Sequence, residues 1–249
     1  MGASSSACSA TNSRPAFSEP DFQPARLTVD MFRTPHVAPL RVETRLVRAG
    51  GRIKVADADL YCADVQTGRA SALFLRRSEN PANPTWRAPN WTAPKPEALS
   101  PLSRPRSWEV RQIPPSSSTW PREANAGGVA PSASNNPAVL GDLAPFAARQ
   151  AWMRDTRELI GGAPLTPFVR VALAADYASL LTNSSETSID FINSDVTLYI
   201  HRLPVTEWIG FELVNHRATD GVAVGEAWIH DEAGALGTVN IAAIAQARR

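Results

Sequence analysis

The chain has 249 residues, of which 43% are hydrophobic and 20% charged, and its formal net charge at pH 7 is +1. This length accommodates one large domain or two small ones. The near-neutral charge, with arginines scattered among acids, excludes the basic tract of a nucleic-acid-binding protein. No apolar stretch reaches the ~18 residues that a membrane-spanning helix needs. We therefore expect a globular protein without nucleic-acid or membrane partners.

The cysteines give a second set of exclusions. Cys8 and Cys62 are too few for a disulfide framework or a metal cluster, and they predict free thiols in a reducing compartment. Residues 1–13 lack the basic start and apolar core of a signal peptide, so a cytoplasmic location is expected. His and Cys show no metal-ligand spacing, and neither a phosphate loop nor a Gly-x-Ser-x-Gly elbow is present, so no metal or redox cofactor is expected.

The first part of the chain predicts a tail followed by an antiparallel meander. Residues 1–22 are rich in Ser, Ala and Pro, which is typical of a disordered tail. Alternating apolar residues then predict strands, with Gly50-Gly51 as a tight turn and a second turn that ends near Gly68. The predicted strands cover residues 27–33, 40–48, 53–62 and 70–76.

A proline-rich segment follows the meander. Prolines are dense over residues 78–144, where each one removes a backbone donor and fixes φ, so this segment predicts a long linker. Trp86, Trp91 and Trp120 predict that parts of the linker pack on a domain surface. Residues 108–113 are a short strand candidate inside it.

The last part of the chain predicts a strand, a helix and a second meander. Residues 151–154 are the strand. Thr166 is a natural N-cap and Pro167 a natural first helical residue, and apolar residues at helical spacing continue to Leu181 with an inner face that is mostly alanine. The strands of the second meander cover residues 195–201, 208–214, 222–230 and 237–245, with Asp220-Gly221 as the middle turn.

The two meanders align without a gap. Thr28 matches Thr197 at an offset of 169 residues, and Gly68 matches Gly237 at the same offset. We interpret the pair as one duplicated unit. The counterpart of the helix falls within or before residues 1–12, which are a poor helix, so the first unit is expected to lack its central helix and first strand. An exposed apolar sheet face would remain, and either a homo-oligomer or poor solubility is therefore expected.

Short segments in both halves carry a family resemblance. They are residues 22–33, the helix segment Ala-Ala-Asp-Tyr-Ala-Ser at 174–179, the segment Phe-Ile-Asn-Ser-Asp at 191–195, and Leu-Tyr-Ile-His-Arg at 198–202. In this order and spacing the chain resembles the acyl-CoA thioesterase II (TesB-like) family. The resemblance implies an α+β double hot-dog, in which each antiparallel meander wraps a central helix.

The resemblance also implies a division of the chain into segments. The disordered tail covers residues 1–22, and a partial N-terminal hot-dog unit covers 23–77. The proline-rich linker covers residues 78–144, and the C-terminal hot-dog unit covers 145–249.

The family hydrolyses acyl-CoA with an aspartate, a hydroxyl residue and a glutamine that orient a water and polarise the thioester carbonyl. Asp195 matches the aspartate when the His201-Arg202 step is the anchor. Asn193, two residues earlier, is a candidate donor to the carbonyl, although an Asx turn is an alternative for it.

The other catalytic positions depart from the family pattern. The hydroxyl position falls near Asn215 and His216, and the glutamine position falls near Ile241 or Ala242. We keep His216 as a catalytic candidate, with an ordinary strand-end histidine as the alternative. An apolar residue at the glutamine position cannot orient a water.

The helix adds two candidates for substrate binding. Asp176 and Tyr177 lie among its alanines and are assigned to this role together with Asn215, although Asp176 also has a structural interpretation. The leading hypothesis is therefore an acyl-CoA thioesterase acting on a fatty acyl-CoA. A non-catalytic hot-dog protein that binds acyl-CoA or a protein partner is the alternative. A hot-dog hydratase ranks last because the helix has no histidine.

Overall fold

The structure is a computed structural model, and it describes residues 19–101, 108–114, 149–156, 162–184 and 189–246. Residues 1–18 of the predicted tail and most of the predicted linker lie outside the described residues. Within them, one continuous sheet of antiparallel strand pairs carries a short helical layer on one face. No helix in this part of the chain is long and apolar enough to cross a bilayer.

Eleven strands build the sheet in the part of the chain that the structure describes. They are β1 (Phe22–Met31), β2 (Leu40–Ala49), β3 (Ile53–Cys62), β4 (Val65–Arg76), β5 (Trp108–Gln112), β6 (Gln150–Asp155), β7 (Phe191–Asn193), β8 (Asp195–Ile200), β9 (Ile209–Thr219), β10 (Val222–Asp231) and β11 (Gly234–Ala245). Their order is β2-β3-β4-β1-β8-β11-β10-β9-β6-β5, and β7 pairs with β11. All the predicted strands are present, with ends that differ by a few residues.

One turn was predicted at the wrong place. The turn between β3 and β4 is formed by Ala63 and Asp64, whose φ angles are 45° and 64°, and Gly68 lies inside β4. An alanine rarely adopts a positive φ, so the sequence carries no signal for this turn. The predicted Asp220-Gly221 turn is confirmed, because both residues have the positive φ that a two-residue hairpin of this type requires.

The offset of 169 residues is confirmed strand by strand. β9, β10 and β11 begin at this offset from β2, β3 and β4, and β7 together with β8 corresponds to β1. β1 and β8 pair in antiparallel fashion with Thr28 opposite Thr197, and the two hydroxyl oxygens lie 3.3 Å apart. Two equivalent residues that face each other mark a local two-fold axis between the meanders.

The predicted helix exists but is broken at one residue. α1 (Pro167–Ala175) and α2 (Tyr177–Asn183) meet at Asp176. The backbone N–H and hydroxyl of Ser179 both donate to the Asp176 carbonyl oxygen. These hydrogen bonds form the first turn of α2. The break leaves the Asp176 side chain at the junction of the two helices.

The N-cap of α1 should contribute to the stability of the folded protein, and substitutions of this residue test that contribution. The Thr166 side chain accepts a hydrogen bond from the Val169 N–H at 3.3 Å, as the sequence predicts. We expect Thr166→Ala to lower the free energy of unfolding by about 1 kcal/mol, and Thr166→Ser to leave it nearly unchanged. Urea unfolding checks both variants, and an equal loss in both would contradict the cap as the cause.

The helical layer packs on the second meander. The alanine-lined face is buried as predicted, since Ala174, Ala175 and Ala178 are each no more than 3% exposed. They join a core that includes Phe211 and Ile241 of the sheet. The first meander has no helix on it among the residues that the structure describes, so the predicted absence of its helix stays a prediction.

Part of the predicted linker packs on the opposite face of the sheet. The Trp91 ring lies 4.3 Å from the His230 ring and 5.1 Å from the Trp152 ring, measured between centroids. The prediction of a packed linker is therefore confirmed for Trp91. It is wrong for Trp86, which is 85% exposed, and Trp120 lies outside the described residues.

Candidate active site

Two of the predicted site residues meet at the break in the helix. The Asn193 side-chain amide donates to the Asp176 carboxylate, with 3.4 Å between Nδ2 and Oδ1. Asn193 ends β7 and pairs with Ala243, which belongs to the buried face beneath the helices. The helix junction and the strand end thus hold a carboxylate and an amide together.

The electrostatics of Asp176 suit a proton acceptor. The residue reaches solvent, yet protein atoms packed around the carboxyl group remove part of its hydration and raise its pKa above the usual value. The hydrogen bond from Asn193 acts in the opposite direction and lowers the pKa. The carboxylate is therefore a stronger base than a fully hydrated aspartate.

The first meander contributes a residue that the sequence analysis missed. Met31 at the end of β1 places its sulfur 3.7 Å from Asn193 Nδ2, and its N–H donates to the Ser194 carbonyl oxygen at 2.8 Å. The repeat contains the signal for this contact. Once Thr28 faces Thr197 in an antiparallel pair, the register places Met31 opposite residue 194.

Asp195 lies apart from this pair. Its Oδ1 accepts a hydrogen bond from the Ala242 N–H at 2.6 Å, and its Oδ2 accepts one from the Thr197 hydroxyl at 3.4 Å. The next residue, Val196, belongs to the core beneath the helices. Because successive side chains of a strand point to opposite faces, Asp195 faces away from the helical layer.

The remaining candidates do not join Asp176 and Asn193. His216 stands opposite Gly225 on the helix side, with its ring 5.7 Å from the Phe191 ring. Burial lowers the His216 pKa, and nearby Arg149 and Arg217 lower it further. No hydrogen bond between His216 and Asp176 or Asn193 is present among the described residues.

Tyr177 and Asn215 also lie away from the pair's polar contacts. Tyr177 is 5% exposed, and its ring packs edge-on against Phe211 at 5.5 Å, which is a core position. Asn215 lies on β9 opposite Glu226. Its assignment to substrate binding stays a prediction.

The predicted glutamine position is apolar in the structure as well. Ile241 is 1% exposed and belongs to the core. Ala242 contributes backbone atoms, since its carbonyl oxygen accepts from the Ser194 N–H at 2.9 Å and from the Ser194 hydroxyl at 3.0 Å. No side chain at either position can orient a water.

A second polar cluster lies beneath Trp91, and the sequence analysis missed it. Gln150 donates to Glu212 at 3.1 Å, and His230 Nε2 lies 3.8 Å from the same carboxylate. Burial raises the pKa of Glu212 and lowers that of His230 to about 4. All three side chains belong to residues less than 5% exposed, so a substrate has no access to them.

Comparison with solved structures shows the fold. Acyl-CoA thioesterase II TesB2 from Mycobacterium marinum is 18% identical, with a TM-score of 0.61 over 93% of this chain and 83% of that chain. A conserved protein of unknown function with a hot dog fold, from Alicyclobacillus acidocaldarius, is 18% identical, with a TM-score of 0.64 over 91% and 80%. The tesB protein of Mycobacterium avium subs paratuberculosis is 13% identical, with a TM-score of 0.60 over 92% and 80%. At these identities the likeness shows the hot-dog fold alone.

Comparison with protein families gives matches in both halves. Residues 2–75 match the acyl-CoA thioesterase N-terminal domain, and residues 77–241 match the acyl-CoA thioesterase C-terminal domain. No curated protein sequence matches the chain. Since the second match alone covers more than half of the chain, the protein belongs to the acyl-CoA thioesterase family and resembles its TesB-like acyl-CoA thioesterase II members.

Proposed function

We propose that the protein hydrolyses the thioester bond of a fatty acyl-CoA, with Asp176 as the base that activates water. Family membership supports the substrate class. The observation that carries the proposal is a solvent-accessible carboxylate with a raised pKa, held by the Asn193 amide at 3.4 Å. In this proposal Asn193 orients the carboxylate.

The chemical step uses one water and no other reactant. The Asp176 carboxylate takes a proton from the water, whose oxygen attacks the thioester carbonyl carbon. Collapse of the tetrahedral intermediate breaks the carbon–sulfur bond, and the leaving sulfur of CoA recovers the proton from Asp176. In the structure, the second N–H of Asn193 faces the Met31 sulfur, which is a weak acceptor. This N–H would donate more strongly to the carbonyl oxygen of a bound substrate.

Asp195 remains the base that the family resemblance implies, but its environment is less suitable. Its oxygens already accept from the Ala242 N–H and the Thr197 hydroxyl. Both of its carboxylate oxygens are therefore occupied by protein donors, and the side chain faces away from the helical layer. We therefore propose a structural role for Asp195, which is to stabilise the strand register at the junction of β7 and β8.

We propose further that the two meanders are two hot-dog units, 23–77 and 145–249, joined by the segment 78–144. The strand correspondence at the offset of 169 residues supports this division. The helices lie on the second unit, so the proposed hydrolytic centre belongs to that unit. Met31 of the first unit contacts this centre through Asn193.

A non-catalytic role is the second candidate. The apolar residues Ile241 and Ala242, near which the resemblance implies a glutamine, favour it. In that case the protein would bind acyl-CoA, or a protein partner, without turnover.

Thiol release from short-, medium- and long-chain acyl-CoAs separates the two candidates. We expect turnover by the wild-type full chain, with a chain-length preference that defines the substrate. Binding of acyl-CoA by calorimetry without any thiol release, from folded protein, would establish the non-catalytic role instead.

The pH dependence tests the Asp176–Asn193 pair. A general base must be deprotonated, so kcat/KM should rise with pH through the pKa of Asp176, which lies above its usual value. Asn193→Leu removes the hydrogen bond that lowers this pKa, and the midpoint of the rise should therefore move to higher pH. Ile192→Leu, one residue away and 49% exposed, is the control. A midpoint unchanged by Asn193→Leu would contradict the assignment.

A further inference from the structure

The outer edge of β2 is open in the residues that the structure describes. β2 is one end of the sheet, and all ten of its residues are exposed. β5, at the other end, is half-buried, and the guanidinium of Arg111 on that strand donates to the carbonyl oxygens of Pro96 and Leu99. A long exposed edge strand presents a row of unpaired backbone groups and is a template for another strand.

The second half of the chain shows what such an edge accepts. β9, the counterpart of β2, pairs along its outer edge with β6 over residues 209–212. At the offset of 169 residues these positions correspond to residues 40–43 of β2. The same strand position is thus covered by an antiparallel strand in one half and open in the other.

We propose that β2 of a second copy of this chain pairs in antiparallel fashion with this edge, centred on Thr44. Glu43 would then stand opposite Arg45 of the second copy, and the symmetry repeats this pair. Val42 would stand opposite Leu46 of the second copy, which covers apolar side chains that are 60% and 45% exposed in the single chain. Cross-strand pairs of both kinds stabilise a sheet.

Charge and the length of the ladder together favour this register over the two that are centred on Glu43 and Val42. Centring the pair on Glu43 would place Glu43 against itself and Arg41 against Arg45, so only like charges would meet. Centring it on Val42 places Glu43 opposite Arg41, again repeated by the symmetry, but limits the ladder to residues 40–44. The Thr44-centred register also repeats the internal arrangement, in which Thr28 faces Thr197 across a two-fold axis.

Charge reversal tests the interface with the full chain. Light scattering after size exclusion should give twice the chain mass for the wild type. Arg45→Glu and Glu43→Arg each create like-charge pairs and should each weaken the dimer roughly tenfold or more. The double variant restores opposite charges and should recover the wild-type dimer.

Arg69→Glu is the matched control. Arg45 pairs with Asp57 and Arg69 pairs with Asp30, both at 2.7 Å and both through an exposed guanidinium. β4 is interior to the sheet, so Arg69→Glu should keep the dimer. A wild-type monomer would mean that another segment of the chain covers the edge, and it would overturn the proposal. A dimer unaffected by the single reversals, or not recovered in the double variant, would overturn it as well.

Discussion

Asp176→Asn should reduce kcat for acyl-CoA hydrolysis by roughly 10²–10⁴-fold, because it removes the general base and keeps the shape of the side chain. The folded state disfavours the charged form of this carboxyl, as its raised pKa shows. A neutral asparagine should therefore leave the thermal unfolding midpoint at pH 7 unchanged or higher. Thiol-release kinetics and thermal unfolding on the same preparation measure both effects.

Asp195→Asn is the control for this prediction. The new side-chain oxygen can still accept from the Ala242 N–H, so we expect a loss of activity below about tenfold. The reverse pattern, with activity lost in Asp195→Asn and kept in Asp176→Asn, would identify Asp195 as the base, as the family resemblance implies.

Gly237→Ala should give a larger loss of stability than an alanine at Gly51 or Gly68. Gly237 lies in β11 with φ at 157°, and an added Cβ would overlap the carbonyl oxygen of Tyr199 on the paired strand. Backbone atoms cannot move aside as a flexible side chain can. We expect the free energy of unfolding in urea to fall by about 2–4 kcal/mol.

The repeat supplies a graded control for Gly237→Ala. Gly68, its counterpart, would place a Cβ 3.0 Å from the Asp30 carbonyl oxygen, which is tight but not an overlap. Gly68→Ala should therefore cost less than Gly237→Ala. Gly51→Ala meets no atom within 4 Å and should change stability by less than about 0.5 kcal/mol. Equal losses at Gly51 and Gly237 would contradict the steric cause.

The two glycines also show what the sequence could predict of the fold. Their match at a fixed offset indicates a repeat, and the structure supplies the physical reason, since each glycine lets one strand approach the backbone of its neighbour. Alternation and turn residues located the strands. The turn at Ala63 and Asp64 had no such signal, because it depends on positive φ angles in residues that rarely adopt them.

The site was only partly predictable for a related reason. The sequence names both Asp176 and Asn193 as candidates, whereas the family resemblance implies Asp195, two residues beyond Asn193, as the base in place of the Asp176 proposed above. Between Asn193 and Asp195 the pairing with β11 shifts by one residue, and this shift decides which side chain faces the helices. A sequence alignment fixes the order of residues and not the face of the sheet on which each one lies.

The contact between Met31 and Asn193 has a consequence for how the proposed hydrolysis could be controlled. Met31 belongs to one meander, while Asn193 and Asp176 belong to the other, so hydrolysis at this pair would depend on the pairing of β1 with β8. A ligand that binds more tightly when β1 and β8 are paired would raise the rate of hydrolysis. One that binds more tightly when these strands are separated would lower it, and neither ligand needs to contact the Asp176 carboxylate. In that case the N-terminal half would act as a regulatory subunit fused to its own catalytic subunit.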